Sequence, residues 1–348
     1  MSPKESNPLL PTTALRSSPP AYDVNATESA SSLKASAEPP HKLLGIACVA
    51  ASAVCFSLMS TFLKYNTFSM TSMEAIFWRS LVALGLNYVR VKFAAFRLAW
   101  SFIAYHNEKL YVKPEDRMMM LYRVIAGFSS ISFAFYAVSQ MVLADASVII
   151  FTSPVITFFF GACFLGEKID LPSFFFAVLS FAGLICVVRP GFIFGYDHAT
   201  AETDGSWIAI GSALLGAVGQ AFVFISVRKL QGISAFVVVH YFMLFSIVMS
   251  LLWIAIFQRE FVIPDTWPLW MSVIGSGLFT GIGQMLLTKG FQLEKAGIAS
   301  VMRYLDVVCV FIWDAVLLGE HINHWSVIGA VIICTCAMVI ALRKSKAK

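Results

Sequence analysis

Arg79, Arg303 and Asp306 are ionisable residues set inside apolar runs long enough to cross a bilayer. A charge held near the bilayer centre costs about 2.5–3.5 kcal/mol, so such residues face a bundle interior or a water path and are candidate solute contacts. Arg79 falls near the middle of the run 71–89, and Arg303 and Asp306 lie within about two turns of the middle of the run 297–318. At roughly 100° per residue, Arg303, Asp306 and Asp314 share an arc of about 80° on one helix face. That face must look inward. Arg303 and Asp306 are also three apart, so they can instead pair across one turn and simply make the helix insertable. Tyr304 stands beside them as a further candidate contact. Gln220 and Gln284 offer amides, and Ser57, Ser60 and Thr61 offer hydroxyls, which either orient a polar solute or bond between helices. Arg123 is expected to snorkel to the interface from near the end of its run. His240 is expected to pack rather than carry protons.

The elements that position these groups follow from composition. The chain is 58% hydrophobic and 13% charged, against about 45–50% and about 25% in soluble domains. No soluble core absorbs that much apolar surface. The excess is gathered in ten blocks, 43–64, 71–89, 118–138, 144–165, 171–188, 207–227, 235–257, 267–288, 297–318 and 324–342, each of the length that spans a hydrocarbon core. In lipid every backbone polar group must be satisfied within the segment, and no alternating strand pattern recurs, so the blocks are helices. The expected fold is an all-α integral membrane protein of ten transmembrane helices.

Residues 1–42 are rich in Ser, Pro, Ala and Thr and read as a disordered tail. With that tail in the cytosol, about 19 of the 25 Lys and Arg residues fall in the tails and even-numbered loops, where the positive-inside rule places them. Both termini are therefore expected to be cytosolic. The net charge of +5 is explained by these span-end residues, so no nucleic-acid partner is expected. The loop 90–117, with Phe93, Phe96, Trp100 and Phe102 among basic residues, reads equally as a membrane-surface helix or as a solvated loop. Glu5-Ser6-Asn7-Pro8-Leu9-Leu10 has the form of a dileucine sorting signal and Pro19-Pro20-Ala21-Tyr22 that of a WW-domain ligand, making trafficking adaptors and WW-domain proteins candidate partners. The organelle stays open among endosomal or vacuolar, plasma and secretory membranes.

The chain repeats itself. Shifted by 153 positions, Ala146–Ile169 aligns with Ala299–Ile322 at 10 of 24 identical residues, including the polar endings Gly166-Glu167 and Gly319-Glu320. Each half holds five helices, and an odd number inverts the second half, so the expected arrangement is two inverted five-helix repeats able to exchange conformations. The divisions are a tail 1–42, a first repeat 43–188, a non-cytosolic loop 189–206, a second repeat 207–342 and a basic tail 343–348. Glu167 and Glu320 read as capping or gating groups. Gly277-x-x-x-Gly281 and Ala47-x-x-x-Ala51 read as close-packing surfaces.

Phe77-Trp78-Arg79, Ala146-Ser147, Pro154 and Leu165-Gly166-Glu167, with their second-half counterparts, resemble the EamA-type drug/metabolite transporters over about residues 43–342. Met302-Arg303-Tyr304-Leu305-Asp306-Val307-Val308 and Phe311-Ile312-Trp313 are similar to the G subgroup of solute carrier family 35. Val307 departs from the pattern where Pro154 predicts a second proline. The resemblance implies an arginine at position 79 across unrelated substrates, hence packing or gating there as well as contact. It also implies basic residues in the ninth helix of members that carry phosphorylated or nucleotide-linked solutes.

No phosphate-binding glycine loop, nucleophile triad, paired carboxylates or zinc-spaced Cys/His set occurs, so neither an enzyme, an ATP-driven pump nor a cofactor is expected. The expected function is secondary-active transport of a small polar metabolite, an organic anion if Arg303 faces the cavity, by alternating access. The alternatives are a nucleotide-sugar exchanger of the secretory pathway and a non-transporting membrane scaffold.

Overall fold

A computed structural model describes residues 43–66, 69–89, 112–141, 143–194, 207–258, 260–317 and 324–346. The tail motifs, most of the loops 90–117 and 189–206, and Glu320 lie outside the described residues, as does the side chain of Asp314. The elements are helical throughout: α1 Leu44–Asn66, α2 Ser72–Val89, α3 Pro114–Gln140, α4 Leu143–Ile150, α5 Ser153–Leu165, α6 Leu171–Val188, the single turn α7 Gly191–Phe194, α8 Trp207–Lys229, α9 Ala235–Phe257, α10 Trp267–Leu293, α11 Ala296–Val301, a 3-10 turn Met302–Tyr304, α12 Leu305–Leu317 and α13 His324–Lys346.

Among the described residues nine segments are long and apolar enough to cross a membrane, counting α4 with α5 and α11 with α12 as one span each. The remaining helix, α2, has 18 residues but carries Glu74, Arg79 and Asn87. It packs between α9 and α10, which makes it the second of ten spans in the packing order.

Several boundaries differ from expectation. The third span begins at Pro114, four residues early, because Pro in the first turn needs no N–H partner and Glu115 and Asp116 complement the helix N-terminus. The tenth continues to Lys346, so the basic tail is helical for most of its length. The fourth span is not continuous. Its first piece stops at Ile150 and its second starts at Ser153, where Pro154 removes the donor that the Ile150 carbonyl would have used. The ninth span is interrupted at the repeat-equivalent place, the 3-10 turn 302–304, although Val307 replaces the proline. The break therefore belongs to the fold and not to proline alone.

The inversion is visible in contacts at one face of the bundle. Gly45, at the start of the first span, meets Glu294 after the end of the eighth, Glu167 after the fourth meets Arg228 of the sixth, and Arg343 of the tenth meets Asp170 before the fifth. The first span thus begins where the sixth ends. Partners exchange in the same sense: α1 packs antiparallel on α10 as α8 packs on α3, while α6 lies on α13 and α2 on α9. Closest approach occurs where glycine permits it. At the α6–α13 crossing a Cβ on Gly329 would collide with the Gly183 carbonyl oxygen, and on α10 a Cβ on Gly290 would collide with Val49. Ala47 and Ala51 are exposed and do not form the α1 seam, which runs through Gly45 and Val49 instead. Gly277 does pack closely, its added Cβ falling 2.5 Å from Val82.

Candidate functional site

The two broken spans meet at the middle of the molecule. The Tyr304 hydroxyl donates to the Phe151 carbonyl at 3.2 Å, and these residues are separated by 153 positions, the repeat offset itself. The bond therefore joins repeat-equivalent points and lies close to the pseudo-twofold axis. It also supplies a donor to a carbonyl at the break of the fourth span. Tyr304 is fully enclosed. Its hydroxyl is used by the fold, which accounts for the residue without a solute.

Arg303 and Asp306 do pair, Nη2 to Oδ2 at 2.9 Å across one turn. The 3-10 turn explains the ease of it, since residues three apart eclipse in that geometry. The Arg303 guanidinium lies 4.7 Å over the Phe56 ring of α1. Both partners are nearly buried, at 14% and 10% side-chain exposure, yet Arg303 Nη1 and Asp306 Oδ1 have no hydrogen-bond partner. The internal pair foreseen as the alternative is present, and it leaves Arg303 Nη1 and Asp306 Oδ1 without bonds of their own.

Arg79 is buried at 8% exposure, touches Met59 Sδ through Nη1 at 3.7 Å and leaves Nε without a partner. Met59 follows Phe56 by three residues, about 4.5 Å along α1, so Arg79 and Arg303 approach neighbouring turns of one helix. No carboxylate among the described residues pairs with Arg79. Arg123 overturns its expectation. It does not snorkel but is 1% exposed, with its guanidinium 4.4 Å over the Phe242 ring and Nη2 donating to Gln284 Oε1 at 3.4 Å.

The remaining candidates scatter. Gln284 serves Arg123, and Gln220 accepts from Ser130 at 3.4 Å on the α3–α8 seam. Ser57 accepts from Trp313 Nε1 at 2.9 Å, a bond between helices, whereas Ser60 and Thr61 bond carbonyls of their own helix. His240 is packed, beside Phe236 and Tyr241.

Glu167 is fixed by the Gly166 that precedes it. Gly166 takes the left-handed region at φ 64°, ends α5, and lets the Glu167 N–H return to the Gly161 carbonyl at 3.1 Å. The carboxylate then reaches into the second repeat, pairing with Arg228 at 3.2 Å and accepting from the Ala296 N–H at 3.1 Å, the first residue of α11. Arg228 also donates to the Gln292 carbonyl at 2.6 Å. Above this seal Phe224 and Phe291 stack at 4.2 Å. Contacts between the halves therefore lie at the face at which the first span begins. A separate cleft of about 560 Å³ between α3 and α9, lined by Met120, Val124, Leu244 and Val248 with Arg117 and Tyr241, contains none of the candidate site residues.

Inverted five-helix halves, broken spans that meet at their breaks and ionisable groups held at mid-depth define a multi-pass membrane carrier. The chain belongs to the EamA-like transporter family, which matches it over residues 43–189 and 207–342. It is similar to solute carrier family 35 member G1 of Homo sapiens, 30% identical with 73% of this chain and 72% of that protein covered. It is also similar to the pseudopaline exporter CntI of Pseudomonas aeruginosa, 26% identical over 87% of this chain and 96% of that one. A solved structure 16% identical in sequence superimposes with a TM-score of 0.68 over 87% of this chain and 98% of its own, which shows the shared fold. The chain is a membrane transporter of the drug/metabolite superfamily, near the G subgroup of solute carrier family 35, and not an enzyme.

Proposed function

We propose that the protein carries a small organic anion by alternating access, binding it at mid-membrane between the halves with Arg303 as the principal contact. The observation that carries this reading is the unspent bonding capacity of the Arg303–Asp306 pair. A buried charge forms every bond its surroundings offer, and Arg303 Nη1 is left with none. With Arg79 approaching the neighbouring turn of α1 and Asp306 the one carboxylate paired with either cation among the described residues, the neighbourhood suits a carboxylate or phosphoryl group. Exchange of conformation between the inverted halves would then expose the solute to either side. In this reading the Glu167–Arg228–Ala296 contacts close the face at which the first span begins, which the positive-inside rule predicts to be cytosolic.

A thermal-shift screen of the purified protein against organic acids, sugar phosphates, nucleotide sugars, amino acids and amines tests the reading. Ligand at 100 times its dissociation constant stabilises the folded form by about 2.7 kcal/mol, enough to register. An anion that shifts the wild type but not a folded Arg303→Ala protein is the expected result. Stabilisation by cations or neutral compounds alone, or an equal response from Arg303→Ala, would remove Arg303 from the site.

A further inference from the structure

The side chain least explained by packing is Arg123. It is 1% exposed, Nε and Nη1 have no partner, and its one hydrogen bond goes to a neutral amide oxygen at 3.4 Å. Glu74, equally enclosed, shows the contrast: it accepts from the Thr71 backbone and hydroxyl and from the Val262 N–H. Stacking on Phe242 compensates part of the guanidinium charge but supplies no acceptor to its N–H groups. Neither Nε nor Nη1 meets an acceptor among the described residues.

Contacts tie Arg123 to the level of Arg303. Arg303 lies over one face of Phe56, and a Cβ on Gly283 would sit 3.2 Å from the same ring. Gln284, the next residue, holds Arg123. The two guanidinium groups, from the third and ninth spans, are thus linked through Phe56, Gly283 and Gln284 of the first and eighth. Among the described residues Asp306 is the only carboxylate bonded to either of them.

We propose that Arg123 and Gln284 form a second anion subsite, so that the preferred solute bears two anionic groups, one for Arg303 and one for Arg123. The proposal rests on the reading of Arg303 as a solute contact and adds a residue from another helix to it. Guanidinium recognises a carboxylate or phosphoryl oxygen pair in plane, and Gln284 fixes the orientation of the fork by holding Nη2. Closure of the site around a doubly charged solute would draw α3 and α12 towards each other, which links occupancy to movement of the two halves.

The test uses full-length protein in nanodiscs with paired probes: acetate against succinate, and methyl phosphate against glycerol 1,3-bisphosphate. Wild type, Arg123→Gln, Arg123→Lys and Arg303→Gln are compared by the midpoint concentration for thermal stabilisation. The expected result is at least tenfold tighter binding of the member with two anionic groups by the wild type, a tenfold or greater loss of that preference in Arg123→Gln, and partial recovery in Arg123→Lys. Unchanged binding of the member with one anionic group by Arg123→Gln shows that the fold is intact. If Arg123→Gln lowers the melting temperature without ligand while keeping the wild-type preference, Arg123 is a packing residue and the proposal falls with the Arg303 reading standing. If no anion stabilises the wild type, both fall.

Discussion

At the scale of single residues the structure separates charges that the fold uses from charges it holds in reserve. Removing one partner of a buried pair leaves the other uncompensated, at about 3–5 kcal/mol, whereas replacing both is far milder. Arg303→Ala is therefore expected to lower the unfolding temperature sharply, and Arg303→Ala combined with Asp306→Asn to regain most of it while binding no anion. Differential scanning of the three variants checks this. Equal melting temperatures for the single and double variants would mean that the pair is not buried in the membrane. The pairing of Arg303 with Asp306 was legible as an alternative from their spacing of three, because both residues sit on one element. Arg123 was misread because its run offered a nearby interface, and sequence spacing carries no information about Phe242 or Gln284, which come from two other helices. Gln220 and Gln284 were recognised as polar groups inside spans, but which helix each one faces is a tertiary fact.

At the scale of elements the breaks in the fourth and ninth spans are the points at which the two repeats bond to each other. Tyr304→Phe leaves the Phe151 carbonyl without its donor and is expected to cost about 1–3 kcal/mol, read as a fall in the denaturation midpoint. A change below a few tenths of that would show that water or a neighbouring group satisfies the carbonyl. The crossing of α6 and α13 sets a second expectation. Gly329→Leu forces the helices apart at a point where backbone touches backbone, so the variant should be destabilised by at least about 1–3 kcal/mol, whereas Gly211→Ala, with open space around its Cβ position, should be close to neutral. The Gly-Glu ending of the fourth span was readable as a cap because its chemistry is local, a left-handed glycine followed by a carboxylate. The ninth-span break was not readable, since Val307 gave no proline signal and the interruption is imposed by its symmetry mate. The Ala47–Ala51 spacing misled for a related reason. Small residues four apart permit close approach, but the partner helix chose the Gly45–Val49 face of α1.

At the scale of the whole molecule, the inverted repeat is the property that sequence showed most fully, because ten identities at one offset and five helices per half are statements about order along the chain. Hydropathy found the spans; only α2, with its two charges and Asn87, falls short of the apolarity of the others. An even number of spans places both termini on one side, which the positive-inside rule predicts to be the cytosol. Epitope tags at the two ends should therefore become accessible together, only on permeabilisation of sealed cells. A tag at one end alone accessible from outside would contradict the ten-span arrangement. At that face Glu167 pairs with Arg228 across the two repeats and Glu294 with Lys344 beside the eighth and tenth spans, and the proposed alternating access requires the first of these pairs to part.

The central claim is that a solute anion is carried through the protein on Arg303. Its most direct test is counterflow of a labelled anion, chosen from those that stabilise the protein, into proteoliposomes holding the purified protein alone with the membrane potential clamped. Saturable uptake by the wild type, competed by related anions and reduced at least a hundredfold in a stably folded Arg303→Gln protein, is the predicted result. Equal flux in the two proteins, or flux of neutral and cationic compounds with none of anions, would contradict it.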